Sequence, residues 1–258
     1  MDKLIDLLII RMITEYKNKD RSGVYGYTQR NLAYNSNKIE GSGLSQKQTE
    51  NLFDTFNAGN FKLDNSIIVP KDVEETTGHF IMFNNMLKTF DLPLSEKLIK
   101  GYHSDLKSGV FEDFANGYAV GEYKTKENFI DKYETSKPEN VHRDIVSLLN
   151  AYNPNRKNHT LEELAIFHAK YEQIHPFQDG NGRTGRIILF KECLNNKIFP
   201  FIIEDTDKFL YYDALTSIRE NNDYNKLIKL FEISQVKYFN FIKNYVIDAS
   251  IEEINRNI

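Results

Sequence analysis

The chain of 258 residues contains no tryptophan and a single cysteine. Cys193 alone cannot close an internal disulfide, as expected of a chain kept in a reducing cytoplasm. It lies among apolar residues in a helical stretch and reads as core. Long apolar runs are missing too. Near the N-terminus only Leu7 to Ile10 is continuously apolar before Arg11 interrupts. That is too short for the apolar region of a signal peptide and far too short to span a bilayer. No targeting segment, internal repeat or low-complexity tract is visible. Positive charge is not in excess either: 33 Lys and Arg against 37 Asp and Glu leave a net charge of −4. This argues against a nucleic-acid partner, whose binding rests on neutralising phosphates. The expectation is a cytoplasmic protein with neither a membrane nor a nucleic-acid partner.

Apolar residues are plentiful, at 40 % hydrophobic and 13 % aromatic. They suffice for the core of one large domain, or of one domain with an extension. Most of the chain repeats its apolar residues at helical spacing. Leu4, Leu7, Leu8 and Met12 outline a first helix, and a second runs from about Thr28 to Glu40 and stops at Gly41 and Gly43. Ser45 with Gln48 and Thr160 with Glu163 are capping boxes. Pro70 and Pro138 fit first helical turns, Ser95 and Thr206 fit caps, and Asp223 fits the start of a long last helix that frays after Ala249. Phe111 to Tyr133 breaks the pattern with Gly117 and Gly121 among mixed polar and apolar residues. It reads as a short β-hairpin or flap leaning on the helical body.

Residues 175 to 186 read His-Pro-Phe-Gln-Asp-Gly-Asn-Gly-Arg-Thr-Gly-Arg. Pro176 disfavours α geometry at His175, placing it at a helix end facing the loop, where a neutral imidazole can take a proton. The pattern turns helical beyond Gly182. Loop amides and a helix N-terminus together form an anion site. Arg183 and Arg186 oppose the helix dipole there, so they make better sense as clamps on a polyphosphate. Asp179 could hold Mg²⁺ against those phosphates. Each element has a plainer reading. A lone histidine is more often a satisfied core residue, Gly-Asn-Gly is a common turn, and Tyr211 and Tyr212 are by default core aromatics. His168, Glu172 and His175 could form a zinc stripe on one helix face, but Pro176 takes His175 off that track. His168 and His103 read as packing residues.

The twelve residues match the Fic signature, His-Pro-Phe-x-(Asp/Glu)-Gly-Asn-Gly-Arg-x-x-Arg, without a mismatch, and the chain resembles that family over roughly 95 to 220. The resemblance implies an all-α Fic fold, a helical bundle with a short β-hairpin flap. Its parts would be an N-terminal helical region (1–94) carrying an inhibitory helix (about 28–41), a Fic core (95–220) with flap (about 111–133) and signature loop (175–186), and a C-terminal helix and tail (221–258). It implies protein adenylylation: ATP as substrate, Mg²⁺ or Mn²⁺ on Asp179, and His175 as general base. Gly180, Asn181, Gly182, Arg183, Thr184, Gly185 and Arg186 would hold the phosphates, with Tyr211 and Tyr212 at the adenine. The family often has Asn seven residues beyond the second Tyr; here Arg219 stands there. Gly121, Glu122, Tyr123 and Lys124 resemble the family's target-docking flap, with Lys for the usual Arg. Upstream, Ser36-Asn37-Lys38-Ile39-Glu40-Gly41 matches the inhibitory motif (Ser/Thr)-x-x-x-Glu-(Gly/Asn). By default it would be a solvated polar turn. Ser36, Glu40 and Gly41 are therefore the inhibitory candidates, with Ser36 and Glu40 on one helix face. Removal of AMP, transfer of another phosphate-containing group and a non-catalytic nucleotide sensor are the alternatives. Kinase-like relatives usually carry Lys where Gly182 stands. Expected partners are target proteins docking at the flap, the chain itself through self-modification, and a second copy in a homo-oligomer.

Overall fold

The structure, a computed structural model, describes residues 2–58 and 69–256. Among the described residues the fold is all-α with one small hairpin. Helices α1 (Asp2–Asn18), α2 (Val24–Ile39), α3 (Gln46–Ala58), α4 (Pro70–Thr89), α5 (Glu96–Lys107) and the short α6 (Phe111–Ala115) precede strands β1 (Phe129–Ile130) and β2 (Tyr133–Glu134). Helices α7 (Pro138–Tyr152), α8 (Leu161–Ile174), α9 (Asn181–Asn195), α10 (Lys208–Asn221) and α11 (Asn225–Arg256) follow.

The helix starts follow from local chemistry. Thr160 Oγ1 accepts from the Glu163 amide at 3.2 Å while the Glu163 carboxylate accepts from the Thr160 amide at 2.8 Å, a closed capping box on α8. Ser45 and Gln48 exchange the same pair of bonds ahead of α3. Ser95 Oγ accepts from the Leu98 amide, and Pro70 and Pro138 occupy first turns. Asp223 accepts from the Asn225 amide at the start of α11. Three expectations fail. Thr206 caps nothing, because the chain enters α10 through a 3-10 turn, Asp205–Asp207, that contains it. The tail expected to fray after Ala249 is helical to Arg256; residues 257–258 lie outside the described ones. The segment 111–133 is not one hairpin. It opens as helix α6, and only Phe129↔Glu134 and Ile130↔Tyr133 pair, antiparallel, across a turn with Asp131 at φ 52°.

Helix α9 is the axis of the fold. All of its residues are buried, and α2, α4, α5 and α8 pack around it. A helix buried on every side needs no polar face, so its sequence has no clear apolar stripe. Ile187, Ile188, Phe190 and Leu194 enter the main core with Phe83, Phe167 and Tyr238. Helix α2, which carries the 36–41 motif, is part of the same core and is not a detachable arm. Leu32 and Ile39 are buried in it. Gln29 donates to Phe80 O (2.8 Å) and Asn84 Oδ1 (2.9 Å) on α4, and the Thr28 and Tyr238 hydroxyls share a 2.6 Å bond to α11.

Phe190 packs its ring at 6.1 Å from those of both Phe83 and Tyr238. Phe190→Ala should therefore cost about 3–5 kcal/mol in urea unfolding, the transfer loss plus a cavity. A loss under about 1 kcal/mol would mean that α9 is not the packing centre.

Candidate active site

His175 is the C-cap of α8 and adopts φ 53°, ψ 63°, with its amide donating to Tyr171 O at 3.0 Å. This left-handed conformation is uncommon for a side-chain-bearing residue. It ends the helix and turns the chain into the loop. The loop is then closed on itself. The Phe177 amide donates to Asn181 Oδ1 (2.7 Å), and Asn181 Nδ2 donates back to Phe177 O (2.8 Å). Asn181 therefore ties the loop together; its side chain is not aimed outward as an anion ligand. Gly180, the N-cap of α9, sits at φ 82°, where a Cβ would meet Leu106, His103 and Lys107 at 3.2–3.4 Å. Thr184 N is the amide that closes the first turn, onto Gly180 O at 3.0 Å. The amides of Asn181, Gly182 and Arg183 before it have no partner within the helix. Thr184 is fully buried and Gly185 backs onto Tyr171 and Glu172.

Arg183 and Arg186, one turn apart, point into two different charge nests. The Arg183 guanidinium pairs with Glu75 and, through Nη2, with Asp179 Oδ1 at 3.1 Å. Lys107, buried to 1 % exposure on α5, donates to Glu75 Oε1 (2.5 Å), Asp113 Oδ2 (2.8 Å) and Asp179 Oδ2 (2.8 Å). Asp179, Lys107, Glu75 and Arg183 thus form a closed ring of alternating charge. Burial alone would raise the Asp179 carboxyl, but Arg183 and Lys107 outweigh it and hold it far below the usual range.

Arg186 faces the end of α2. Its Nε donates to Ser36 Oγ (3.0 Å), and its Nη2 donates to Ser36 O (2.9 Å) and Glu40 Oε1 (2.6 Å). The Glu40 carboxylate rests on Gly182, where a Cβ would lie 2.3 Å from Oε1, so no larger residue fits there without moving Glu40. Gly41, at φ 100°, lets the chain leave α2 directly beyond it. Burial opposes ionisation of Glu40, yet Arg186 and Arg183 bring its carboxyl below the ordinary value. Ser36 and Glu40, 150 and 146 residues from Arg186 in the chain, therefore meet it in space.

A cavity of about 400 Å³ opens beside this pair. His175, Glu40, Gly182, Arg186, Tyr211 and Tyr212 border it, with Ile130, Asp131 and Tyr133 of the hairpin on the other wall. Its size suits a small ligand. Tyr212 donates to Ile39 O (3.1 Å), and the Tyr211 hydroxyl pairs with His168 Nε2 (2.8 Å). Arg219 lies across the Tyr133 ring at 5.2 Å and reaches Glu172 O at 3.4 Å, so it braces the hairpin wall. Burial, with the Lys124 ammonium nearby, holds the His175 imidazole down to about 4, so it is neutral at pH 7. Another cavity of about 430 Å³, between α7 and α8, is lined by Arg156, His159 and Glu163, whose polar atoms are paired with one another and with Asn153.

Gly121 to Lys124 is not a docking edge. The segment lies under the signature loop as a brace. Gly121 N donates to His103 Nδ1 (2.9 Å), and Lys124 N donates to Pro176 O (2.9 Å). Tyr123 donates to Glu96 (2.8 Å), and Glu122 pairs with Lys100. Lys124, buried, gives its ammonium to Asn128 Oδ1 and Thr135 Oγ1 (both 2.6 Å), and burial lowers it to about 8. The hairpin at 129–134 is the part of the expected flap that reaches the cavity. Reading His103 as a packing residue understated it. Its ring stacks on Phe177 at 3.8 Å, accepts from Gly121 and bonds Asp179 O at 3.0 Å. Glu75 and Lys107 were not anticipated. A lysine on the apolar face of α5 is the only trace of them in the sequence.

Among the described residues no three His, Cys, Asp or Glu side chains form a metal-binding group. The stripe of His168, Glu172 and His175 is no ligand set, since His168 is bonded to Tyr211 and His175 leaves the helix. Asp179 can still accept a cation. Three of its roughly four lone-pair positions are filled, by Gly180 N and Arg183 on Oδ1 and Lys107 on Oδ2. One remains on Oδ2, which the Lys71 ammonium approaches at 3.8 Å without reaching hydrogen-bond distance, and the side chain is 35 % exposed. That fits a hard cation bound mainly by phosphate oxygens and water.

Known proteins with this arrangement share the fold. The profile of the Fic/DOC family matches residues 93–192. The chain is similar to the protein adenylyltransferase Fic of Nematostella vectensis, 25% identical over 192 residues, which cover 70% of this chain and 41% of that protein. It is also similar to the protein adenylyltransferase fic-1 of Caenorhabditis elegans, 31% identical over 104 residues, covering 39% and 20%. A Fic-domain-containing signaling protein of Bacteroides thetaiotaomicron superposes with TM-score 0.72 at 21% identity, over 93% of this chain and 95% of that one. Fic-1 (residues 134–508) of C. elegans superposes with TM-score 0.67 at 18% identity, over 97% and 73%. Residues 93–192 match the Fic/DOC family, and the chain has the Fic fold. It spans about two-fifths of the length of the first of these curated relatives.

The environment of His175 is directly measurable. Its imidazole resonance, assigned by comparison with His175→Ala, should titrate near pH 4. The base form then persists through the whole physiological range. A midpoint at the ordinary value near 6.5 would show that the ring is solvated.

Proposed function

We propose that this chain transfers AMP from ATP to a Ser, Thr or Tyr hydroxyl of a protein, and that Glu40 restrains the reaction. One observation carries the reading: a neutral histidine, a buried arginine and Gly182 of the first turn of α9 border one cavity. The triphosphate lies over Gly180 to Gly182, where the amides and the dipole of α9 receive negative charge. Arg186 takes the γ phosphate, and Arg183 presents its charge through the Asp179 side of the loop. Asp179 would hold Mg²⁺ or Mn²⁺, which there would neutralise phosphate charge. Tyr211 and Tyr212 border the space left for the base.

His175 takes the proton of the target hydroxyl. The hydroxyl oxygen bonds to the α phosphorus as the bond from that phosphorus to the bridging oxygen breaks, and pyrophosphate leaves with the electron pair. Rate enhancement comes from alignment and from preorganised positive charge more than from the base. The hairpin, with Ile130 and Tyr133 on the cavity wall, offers an edge to which an extended target segment can add as a strand.

In the restrained state Glu40 occupies the seat of the γ phosphate on Arg186. A charge-assisted bond contributes about 1.5–3 kcal/mol, roughly ten- to a hundredfold in the competent population. Glu40 is 31 % exposed, so the lower end applies. A second reading is the removal of AMP. Glu40 and His175 line the same cavity, and a carboxylate there can orient a water.

With labelled ATP and metal, Glu40→Gly should label itself and targets at least about tenfold faster than wild type. Glu40→Gly/His175→Ala should lose that labelling while still binding ATP. Equal rates for wild type and Glu40→Gly would refute the restraint. Loss of AMP removal in Glu40→Gly, without faster labelling, would favour the second reading. Within the same assay Glu40→Gly/Asp179→Ala should be nearly inactive, and full activity of Glu40→Gly in EDTA would sink the metal assignment.

A further inference from the structure

The Lys107 ammonium stands where three carboxylates converge. Glu75 Oε1, Asp113 Oδ2 and Asp179 Oδ2 all lie within 2.8 Å of its nitrogen. They come from α4, α6 and the signature loop, and Lys107 itself is 1 % exposed. An ammonium has three N–H donors, so each is used. Without this side chain, three carboxylates would face one small space. Three convergent carboxylates are the donor set of a calcium site, because Ca²⁺ gathers six to eight oxygens and accepts bidentate carboxylates. The lysine fills that centre with a fixed monovalent cation. It ties Glu75 and Asp113 away from any incoming ion and leaves Asp179 with a single lone pair on Oδ2 free of a hydrogen bond, with only the partly exposed Lys71 ammonium near it at 3.8 Å. Oδ1 is already occupied by Gly180 N (2.6 Å) and Arg183 Nη2 (3.1 Å). An ion arriving with a nucleotide therefore meets one carboxylate oxygen. Mg²⁺ and Mn²⁺ accept this, since they bind through one or two carboxylates plus phosphates and water. Ca²⁺ gains little.

We propose that Lys107 is a positioning residue that sets metal selectivity: by occupying the centre of Glu75, Asp113 and Asp179 it restricts Asp179 to one-oxygen coordination and discriminates Mg²⁺ and Mn²⁺ against Ca²⁺. The proposal rests on Asp179 being the metal ligand of the nucleotide-transfer reading above.

The test is electron paramagnetic resonance of Mn²⁺ bound to the Glu40→Gly protein with the imido analogue of ATP, titrated with Mg²⁺ or Ca²⁺. The displacement ratio is corrected for the same analogue free in solution. With Lys107 intact, Ca²⁺ should be needed at about tenfold or more the Mg²⁺ concentration, and Lys107→Met should narrow or invert that ratio by at least about tenfold. Ca²⁺ should also raise the Tm of Lys107→Met and not that of its parent. A ratio unchanged by Lys107→Met overturns the proposal. If Lys107→Met fails to fold, Lys107→Met/Asp113→Asn removes one charge of each sign and should shift the ratio in the same direction. Equal displacement by the two ions in the parent protein overturns the proposal without any variant, and so does Mn²⁺ binding that survives Asp179→Ala. AMP labelling by Glu40→Gly is scored separately. Its absence would sink the function reading and leave the ratio, measured with an unreactive analogue, to decide on Lys107.

Discussion

Two guanidiniums in the first turns of a wholly buried helix set the terms for the rest of this structure. Taking a charge out of water costs several kcal/mol unless a partner and hydrogen bonds compensate it. Arg183 and Arg186 are both nearly inaccessible, and each has recruited anionic or polar groups from distant elements. Arg183 holds Glu75 of α4 and Asp179 of the loop. Arg186 holds Ser36 and Glu40 at the end of α2. Of the four helices around α9, α2 and α4 are thus joined to it by packing and also by the need to keep two cations company.

The two nests differ in what can replace their anions. The Arg183 side is a closed ring with the buried Lys107, and it fixes the signature loop from below. The Lys124 amide and the His103 ring bond Pro176 O and Asp179 O of the same loop, and Gly121 holds His103 in turn, so the loop backbone is fixed from its underside. The Arg186 side is open. Glu40 is the C-cap of α2, one residue beyond its last helical residue Ile39, and its carboxylate borders the cavity. A phosphate entering that cavity meets a guanidinium whose present partner is a partly exposed carboxylate at a helix end, while the Gln29 and Thr28 bonds of α2 to α4 and α11 lie about three turns upstream. One Arg186 Nη1 nitrogen is buried without a hydrogen-bond partner among the described residues, which leaves capacity for a larger anion.

Much of this was legible in the residue string because its strongest signals are local. Pro176 after His175, the Gly-Asn-Gly turn and arginines at a helix start each contradict ordinary helix chemistry, so the loop stood out. The capping boxes at Ser45 and Thr160 read correctly for the same reason. The pairing of Glu40 with Arg186 was reachable only because the 36–41 motif resembled a known one, as nothing in spacing links residues 146 apart. Where an outcome depended on tertiary placement, the sequence misled. Glycines between 111 and 133 looked like hairpin turns, yet the backbone bonds of Gly121 and Lys124 go to His103 and to the loop. Lys107 left only its place on the apolar face of α5 and Glu75 left no sign, since a buried ion pair looks like two ordinary surface residues until both helices are in place.

The account stands on Arg186 being shared between Glu40 and the terminal phosphate of the nucleotide. Calorimetric affinities for ATP and ADP address this directly. In the wild-type chain the γ phosphate finds Arg186 taken, so ATP and ADP should bind with similar Kd. In Glu40→Gly, ATP should bind about tenfold or more tightly than ADP, the worth of a released charge-assisted contact. An ATP-to-ADP ratio that is the same in both proteins would contradict the account.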